Sequence, residues 1–88
     1  MFLHLGSDVV VPGKEVLGIF DLETFSEKFS AKFLNNISFK MPVEKIGEEP
    51  YKSLVLTRQK IFLTPISSLT LKKRWENLEL FYEEEDHR

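Results

Sequence analysis

Apolar and polar positions along this chain switch between two periods, and the switches mark its elements. Phe2-Leu3-His4-Leu5 predicts a short strand that stops at the turn Gly6-Ser7-Asp8. Val9-Val10-Val11 predicts a second short strand, because β-branched side chains suit an extended backbone. Pro12-Gly13 ends it, since Pro has no N–H for a ladder and Gly permits a tight turn. Val16-Leu17-Gly18-Ile19-Phe20 is apolar throughout, the pattern of a central strand covered on both faces. Gly18 inside that run predicts a bulge or a close backbone approach.

The period then changes. Leu22, Phe25, Phe29, Phe33 and Ile37 follow steps of three and four, so they share one face of a helix. Thr24 and Glu27 fit a capping box, and Asn35-Asn36 tolerate the left-handed turn that ends a helix. The spacing predicts a helix over about residues 25–34, with its Phe stripe packed in the core. Residues 38–51 are broken up by Pro42, Gly47 and Pro50. Val43 to Ile46 predicts a short strand there, and Glu48-Glu49-Pro50 an exposed loop tip.

Two further apolar runs, 52–57 and 60–64, flank Arg58-Gln59 and predict a hairpin. The turn lacks the Asn or Gly that two-residue hairpins favour. After Pro65, Ser67 or Ser68 can cap a helix starting near Leu69. Leu71, Trp75, Leu78 and Tyr82 keep helical spacing, whereas Leu78, Leu80 and Tyr82 also alternate as in a strand. Lys72-Lys73-Arg74 near the helix start and Glu83-Glu84-Glu85 near its end both oppose the helix dipole. The expectation is therefore a helix to about Glu79 that frays beyond it. Together these elements predict an α+β fold: a small β-rich domain with short N-terminal strands, one main amphipathic helix, a β-hairpin and a C-terminal helix. Residues 1–75 form the domain and 76–88 an acidic tail.

Composition narrows the function. At 88 residues the chain is one domain, and its eight Phe can fill a thin core without help from any cysteine. A small chain with no staple gains stability by associating with itself. No apolar run approaches the roughly 20 residues of a membrane helix, and the N-terminus lacks the basic start of a signal peptide, so a cytoplasmic protein is expected. Residues 1–74 hold eleven Lys and Arg against eight Asp and Glu, while residues 75–88 hold one Arg against six acids. A mildly basic body thus carries an acidic end.

Candidate chemistry is sparse. His4 and His87 are the histidines, the first reading as a surface or interface residue and the second as part of a charged terminus. Neither stands in a recognisable nucleophile–base arrangement. Glu83-Glu84-Glu85-Asp86 reads as a solvated acidic run rather than a metal site. The four glycines are isolated, so none builds a phosphate-cradling loop. No enzyme, cofactor, metal or small-molecule substrate is expected. What remains is surface. Lys14, Lys52, Arg58, Lys60, Lys72, Lys73 and Arg74 are candidate phosphate contacts, of the kind that supply salt-sensitive binding to DNA. Solvated surface charge is the plainer reading of the same residues. Open sheet edges and surplus apolar residues favour pairing with further copies.

Met1-Phe2-Leu3-His4-Leu5-Gly6, followed by Asp8-Val9-Val10-Val11-Pro12, resembles the start of the RemA/RemB extracellular-matrix regulators, specifically the RemB type. Residues 60–74, from Lys60-Ile61-Phe62-Leu63-Thr64-Pro65 through Lys72-Lys73-Arg74, resemble that family's closing segment. The likeness covers most of residues 1–74. It implies a β-rich domain with a main helix; the family's RemA branch is a DNA-binding transcriptional regulator of biofilm-matrix genes that forms ring-shaped homo-oligomers and contacts DNA through basic residues around the ring. Lys52 keeps a positive charge after the loop where the RemA branch carries basic residues, but the loop itself reads Glu48-Glu49-Pro50. Lys14 is followed by Glu15, which cancels it. The expected function is thus a ring-like homo-oligomer binding DNA through a basic face. The alternative is a self-assembling structural or interaction protein that does not touch DNA.

Overall fold

The computed structural model describes the backbone of residues 1–24, 27–38 and 40–86 and side chains over 1–24, 32–37 and 40–78. Strand β1 (Phe2–Gly6) pairs antiparallel with β2 (Val9–Pro12). Gly6, at φ 112°, and Ser7, at φ 48°, carry the turn between them. Alternation sends Leu3, Leu5 and Val11 inward and leaves Phe2, His4 and Val10 exposed. Burying one such leucine contributes roughly 1.5–3 kcal/mol.

A short 3-10 turn over Gly13–Glu15 leads into β3 (Val16–Asp21). After a second 3-10 turn, Leu22–Thr24, come α1 (Glu27–Ser38), β4 (Val43–Lys45), β5 (Ser53–Thr57), β6 (Ile61–Thr64) and α2 (Ser68–Asp86). Four strands form one sheet in the order β3-β5-β6-β4, with β4 parallel to β6 and the other pairs antiparallel.

The sheet is covered on both faces. On one, the β1–β2 hairpin and α2 pack Leu3, Leu5, Val11 and Leu71 against Val16, Ile19, Val55 and Phe62. On the other, Leu34 and Ile37 of α1 pack with Leu22, Met41 and Val43 against Leu54, Ile61 and Leu63. Strands β5 and β6 are the buried centre, and their side chains alternate between the two clusters.

Several expectations meet this arrangement directly. The hairpin forms around Arg58-Gln59, and Thr57 supplies what a turn glycine does not. Its hydroxyl donates to Lys60 O (2.6 Å) and accepts from Lys60 N (3.1 Å), while Thr57 N also donates to Lys60 O (3.0 Å). Ser67 is the cap of α2, accepting from Thr70 N at 3.2 Å. The β3–β5 register shifts between Val16 and Gly18, as a bulge there requires.

Other expectations are corrected. Strand β3 is an edge strand, not a central one. Its bulge turns both Val16 and Ile19 inward and leaves Leu17 and Phe20 54% and 44% exposed. The ring of Phe20 lies over Gly18, where an added Cβ would stand 2.9 Å from Phe20 Cε2. Helix α1 runs through Asn35-Asn36 to Ser38, where Lys40 N and Met41 N close on Ile37 O. Phe33 is 42% exposed rather than core, and the inward residues are Leu34 and Ile37. Phe25 lies outside the described residues, as do the side chains of Phe29 and Glu27. Thr24 donates its hydroxyl to Asp21 O, while Asp21 Oδ1 accepts from Glu23 N, both at 2.9 Å. Helix α2 does not end near Glu79 but continues to Asp86.

Candidate nucleic-acid interface

The strand register decides which of the basic side chains can act together. Val16 pairs with Thr57, so Lys14, just before β3, and Arg58, just after β5, lie at one end of the sheet. Both are exposed. They are far apart in sequence and share that end only because β3 and β5 are antiparallel neighbours. Lys60, across the same turn, is half-buried. Its Nζ donates to Glu44 Oε1 at 3.0 Å and lies 5.5 Å from the centre of the Phe62 ring. That cation is already partnered, although a surface pair of this kind contributes only about 0–1 kcal/mol.

Lys52 lies at the opposite end of β5, about 20 Å from Arg58 along the strand. Its surroundings are acidic. Lys52 O accepts from Leu22 N at 2.9 Å, which sets it beside Asp21 and Glu23, and the exposed Glu48 and Glu49 precede it.

Lys72, Lys73 and Arg74 are exposed on α2, beside the buried Leu71. Successive helix residues turn by about 100°, so the three spread around most of the helix instead of sharing a face. Lys73 points away from the packed stripe of Leu71, Trp75 and Leu78, and the other two flank it. Arg74 Nη1 donates to His4 O at 3.2 Å, tying α2 to β1. Because α2 starts at Ser68, these residues stand in its second turn, beyond the unpaired N–H groups of the first. The candidate residues thus fall into three groups, of which Lys14 with Arg58 is the pair brought together.

The remaining polar chemistry is structural where it is buried. Ser53 Oγ donates to Ile66 O at 2.7 Å, and Thr64 Oγ1 donates to Leu5 O. Leu5 sits where the β1–β2 register shifts, so its carbonyl depends on that hydroxyl. Among the described residues no group of three or more His, Cys, Asp or Glu could hold a metal ion. Among the same residues no helix is long and apolar enough to cross a membrane.

One feature escaped the sequence pattern. Met1, Phe2, Pro12, Val16, Trp75 and Leu78 line an apolar groove of about 670 Å³, with Lys14 on its rim. Gly13 organises it: Gly13 N donates to Met1 O at 2.9 Å and Gly13 O accepts from Trp75 Nε1 at 3.1 Å. The signal available in the sequence was an apolar N-terminus together with the lone Trp.

No family model matches the chain. Over 74 residues it is 40% identical to extracellular matrix regulatory protein B of Bacillus subtilis (strain 168), covering 84% of this chain and 89% of that protein. The matched length takes in nearly the whole of the relative. With that identity spread over so much of both chains, this protein belongs to the family of extracellular matrix regulatory protein B.

Proposed function

We propose that the chain is a non-enzymatic regulator of extracellular-matrix genes that assembles as a ring-like homo-oligomer and binds double-stranded DNA through a basic face. The relative's name supports the regulatory part. The observation that carries the DNA part is that the exposed Lys14 and Arg58 stand at the same end of the sheet. Two exposed cations at one end of a sheet supply the salt-sensitive, sequence-independent part of phosphate binding. The assembly part rests on the edge position of β3, with Leu17 and Phe20 exposed along it. A head-to-tail contact using such an edge closes into a ring when its rotation allows.

The test is duplex-DNA retardation over a salt series. Lys14→Ala and Arg58→Ala should each weaken binding and flatten its salt dependence, whereas Lys52→Ala should change it little. Absence of retardation at low salt refutes the DNA reading.

A second reading has its own support: a self-assembling structural or interaction protein that leaves DNA alone. Glu44 engages Lys60, and Lys52 follows Glu48-Glu49 and has its backbone bonded to Leu22, between Asp21 and Glu23, so part of the basic set is offset within the fold. Assembly in solution without DNA retardation at any salt concentration would select this reading.

A further inference from the structure

Two clefts adjoin between the β1–β2 hairpin and α2, and Phe2 and Leu78 form walls of both. One is the apolar groove of about 670 Å³ already described. Met1 and Phe2 stay 51% and 61% exposed beside it. The indole N–H of Trp75 is spent on Gly13 O, so Trp75 offers this groove ring surface and no donor. The other cleft, of about 560 Å³, carries the hydrogen-bonding groups. His4, Ser7, Arg74 and Asn77 line it, and all four are exposed.

The charge of that second cleft has one sign. Arg74 reaches it from α2, and its Nη1 donates to His4 O at 3.2 Å. That bond orients the guanidinium and leaves its other donors without a partner among the described residues. Asn77 lies three residues further on the same helix face, with an amide that also donates. No Asp or Glu is among the described residues that line either cleft. An apolar groove without donors, beside an oriented guanidinium, is complementary to one molecule with two unlike ends. Its body is apolar, and its head is an anion that accepts hydrogen bonds. Arg74 and Leu78 are about 6 Å apart along the helix axis, so one small molecule spans both. Lys14 on the groove rim is the weaker anchor, because no bond to a described residue orients it and Glu15 follows it.

We propose that the adjoining clefts bind a small amphiphilic anion, an apolar body carrying one carboxylate, sulfonate or phosphate group. The body lies on Met1, Phe2, Trp75 and Leu78. The head takes the remaining N–H groups of Arg74 and the amide of Asn77. A cleft of this size takes one small molecule, most of its surface covered. The site stands whether or not DNA is bound and whether or not a ring forms, since it uses neither the β3 edge nor Arg58.

The experiment titrates the full chain with two fluorescent probes of nearly the same body: anilinonaphthalenesulfonate, an anion, and neutral phenylnaphthylamine. Trp75 is the one tryptophan of the chain and a wall of the groove, so energy transfer from it to a bound probe reports occupancy of this site. Both probes should bind once per chain, the sulfonate more tightly. Asn77→Asp keeps the side-chain shape and sets a carboxylate beside Arg74. It should weaken the sulfonate by roughly fivefold or more and leave the neutral probe within about twofold. Phe2→Ser, at an exposed position, should weaken both probes. Lys14→Gln should change neither by more than about twofold. Asn77→Asp weakening the two probes alike, Lys14→Gln matching its effect on the sulfonate, or binding indifferent to Phe2→Ser would each overturn the proposal. Probe binding that falls as the chain is concentrated would do the same, because a second copy would then fill the groove. Dodecyl phosphate below its micelle concentration should displace the sulfonate, whereas vesicles containing phosphatidylglycerol should not sediment with the protein. Co-sedimentation abolished by Asn77→Asp would assign the site to a membrane surface and overturn the small-molecule reading.

Discussion

Replacing Thr64 with Val tests how the N-terminal hairpin is fastened to the main sheet. Thr64 is fully buried on β6, and its hydroxyl serves two elements at once. It donates to Leu5 O and accepts from Ile66 N at 3.2 Å. Leu5 falls between the paired residues His4 and Gly6, where the β1–β2 register shifts. Val has nearly the same shape, so the substitution leaves packing in place and removes only the polar role. Each hydrogen bond contributes about 1 kcal/mol net, and a buried carbonyl left without a donor adds a desolvation cost of about 1–3 kcal/mol. The expected loss is about 3–5 kcal/mol, a large part of the roughly 5–15 kcal/mol that stabilises a domain. Thr64→Ser keeps the hydroxyl and loses one methyl, which costs about 0.8 kcal/mol by transfer. The order of stability is therefore Thr, then Ser, then Val. Urea unfolding followed by the fluorescence of Trp75 measures it, at one fixed protein concentration because self-association adds to apparent stability. A Val variant as stable as the Ser variant would refute the argument that the hydroxyl, not the shape, holds the hairpin.

Trp75→Phe removes the indole donor to Gly13 O while keeping an aromatic ring against the hairpin, and should cost about 1 kcal/mol in urea unfolding followed by circular dichroism. Thr57→Val removes both side-chain bonds of the β5–β6 turn and should cost about 1–2 kcal/mol by the same measurement. Lys60→Met breaks the pair with Glu44, whose side chains are 40% and 42% exposed, and should shift stability by no more than about 1 kcal/mol.

The parts of the fold legible in the sequence are those governed by local rules. The hairpin shows in two apolar runs flanking Arg58-Gln59 and in its closing Pro65, and the start of α2 shows in Ser67. The misreadings have a common cause, which is tertiary context. An apolar run such as 16–20 normally marks a central strand, but the bulge before Gly18 lets two of its side chains face in while Leu17 and Phe20 face out. The Phe steps of α1 suggested one buried face, yet the sheet takes Leu34 and Ile37 and leaves Phe33 exposed. Likewise, seven basic residues read as one surface until strand direction is known. Antiparallel pairing of β3 with β5 joins Lys14 to Arg58 and sends Lys52 to the far end. No local rule carries that information.

Strand direction also ranks the substitutions that should matter for DNA. Lys14 and Arg58 are exposed at one end of the sheet, placed there by the pairing of Val16 with Thr57. Lys73 lies on α2, apart from that end, and its neighbour Arg74 is already engaged with His4 O. DNA retardation should therefore be more sensitive to Arg58→Ala than to Lys73→Ala. Loss of a cation that touches phosphate should also lower the slope of log affinity against log salt by about one. Equal losses of affinity and slope from the two substitutions would show that the sheet end is not the favoured contact.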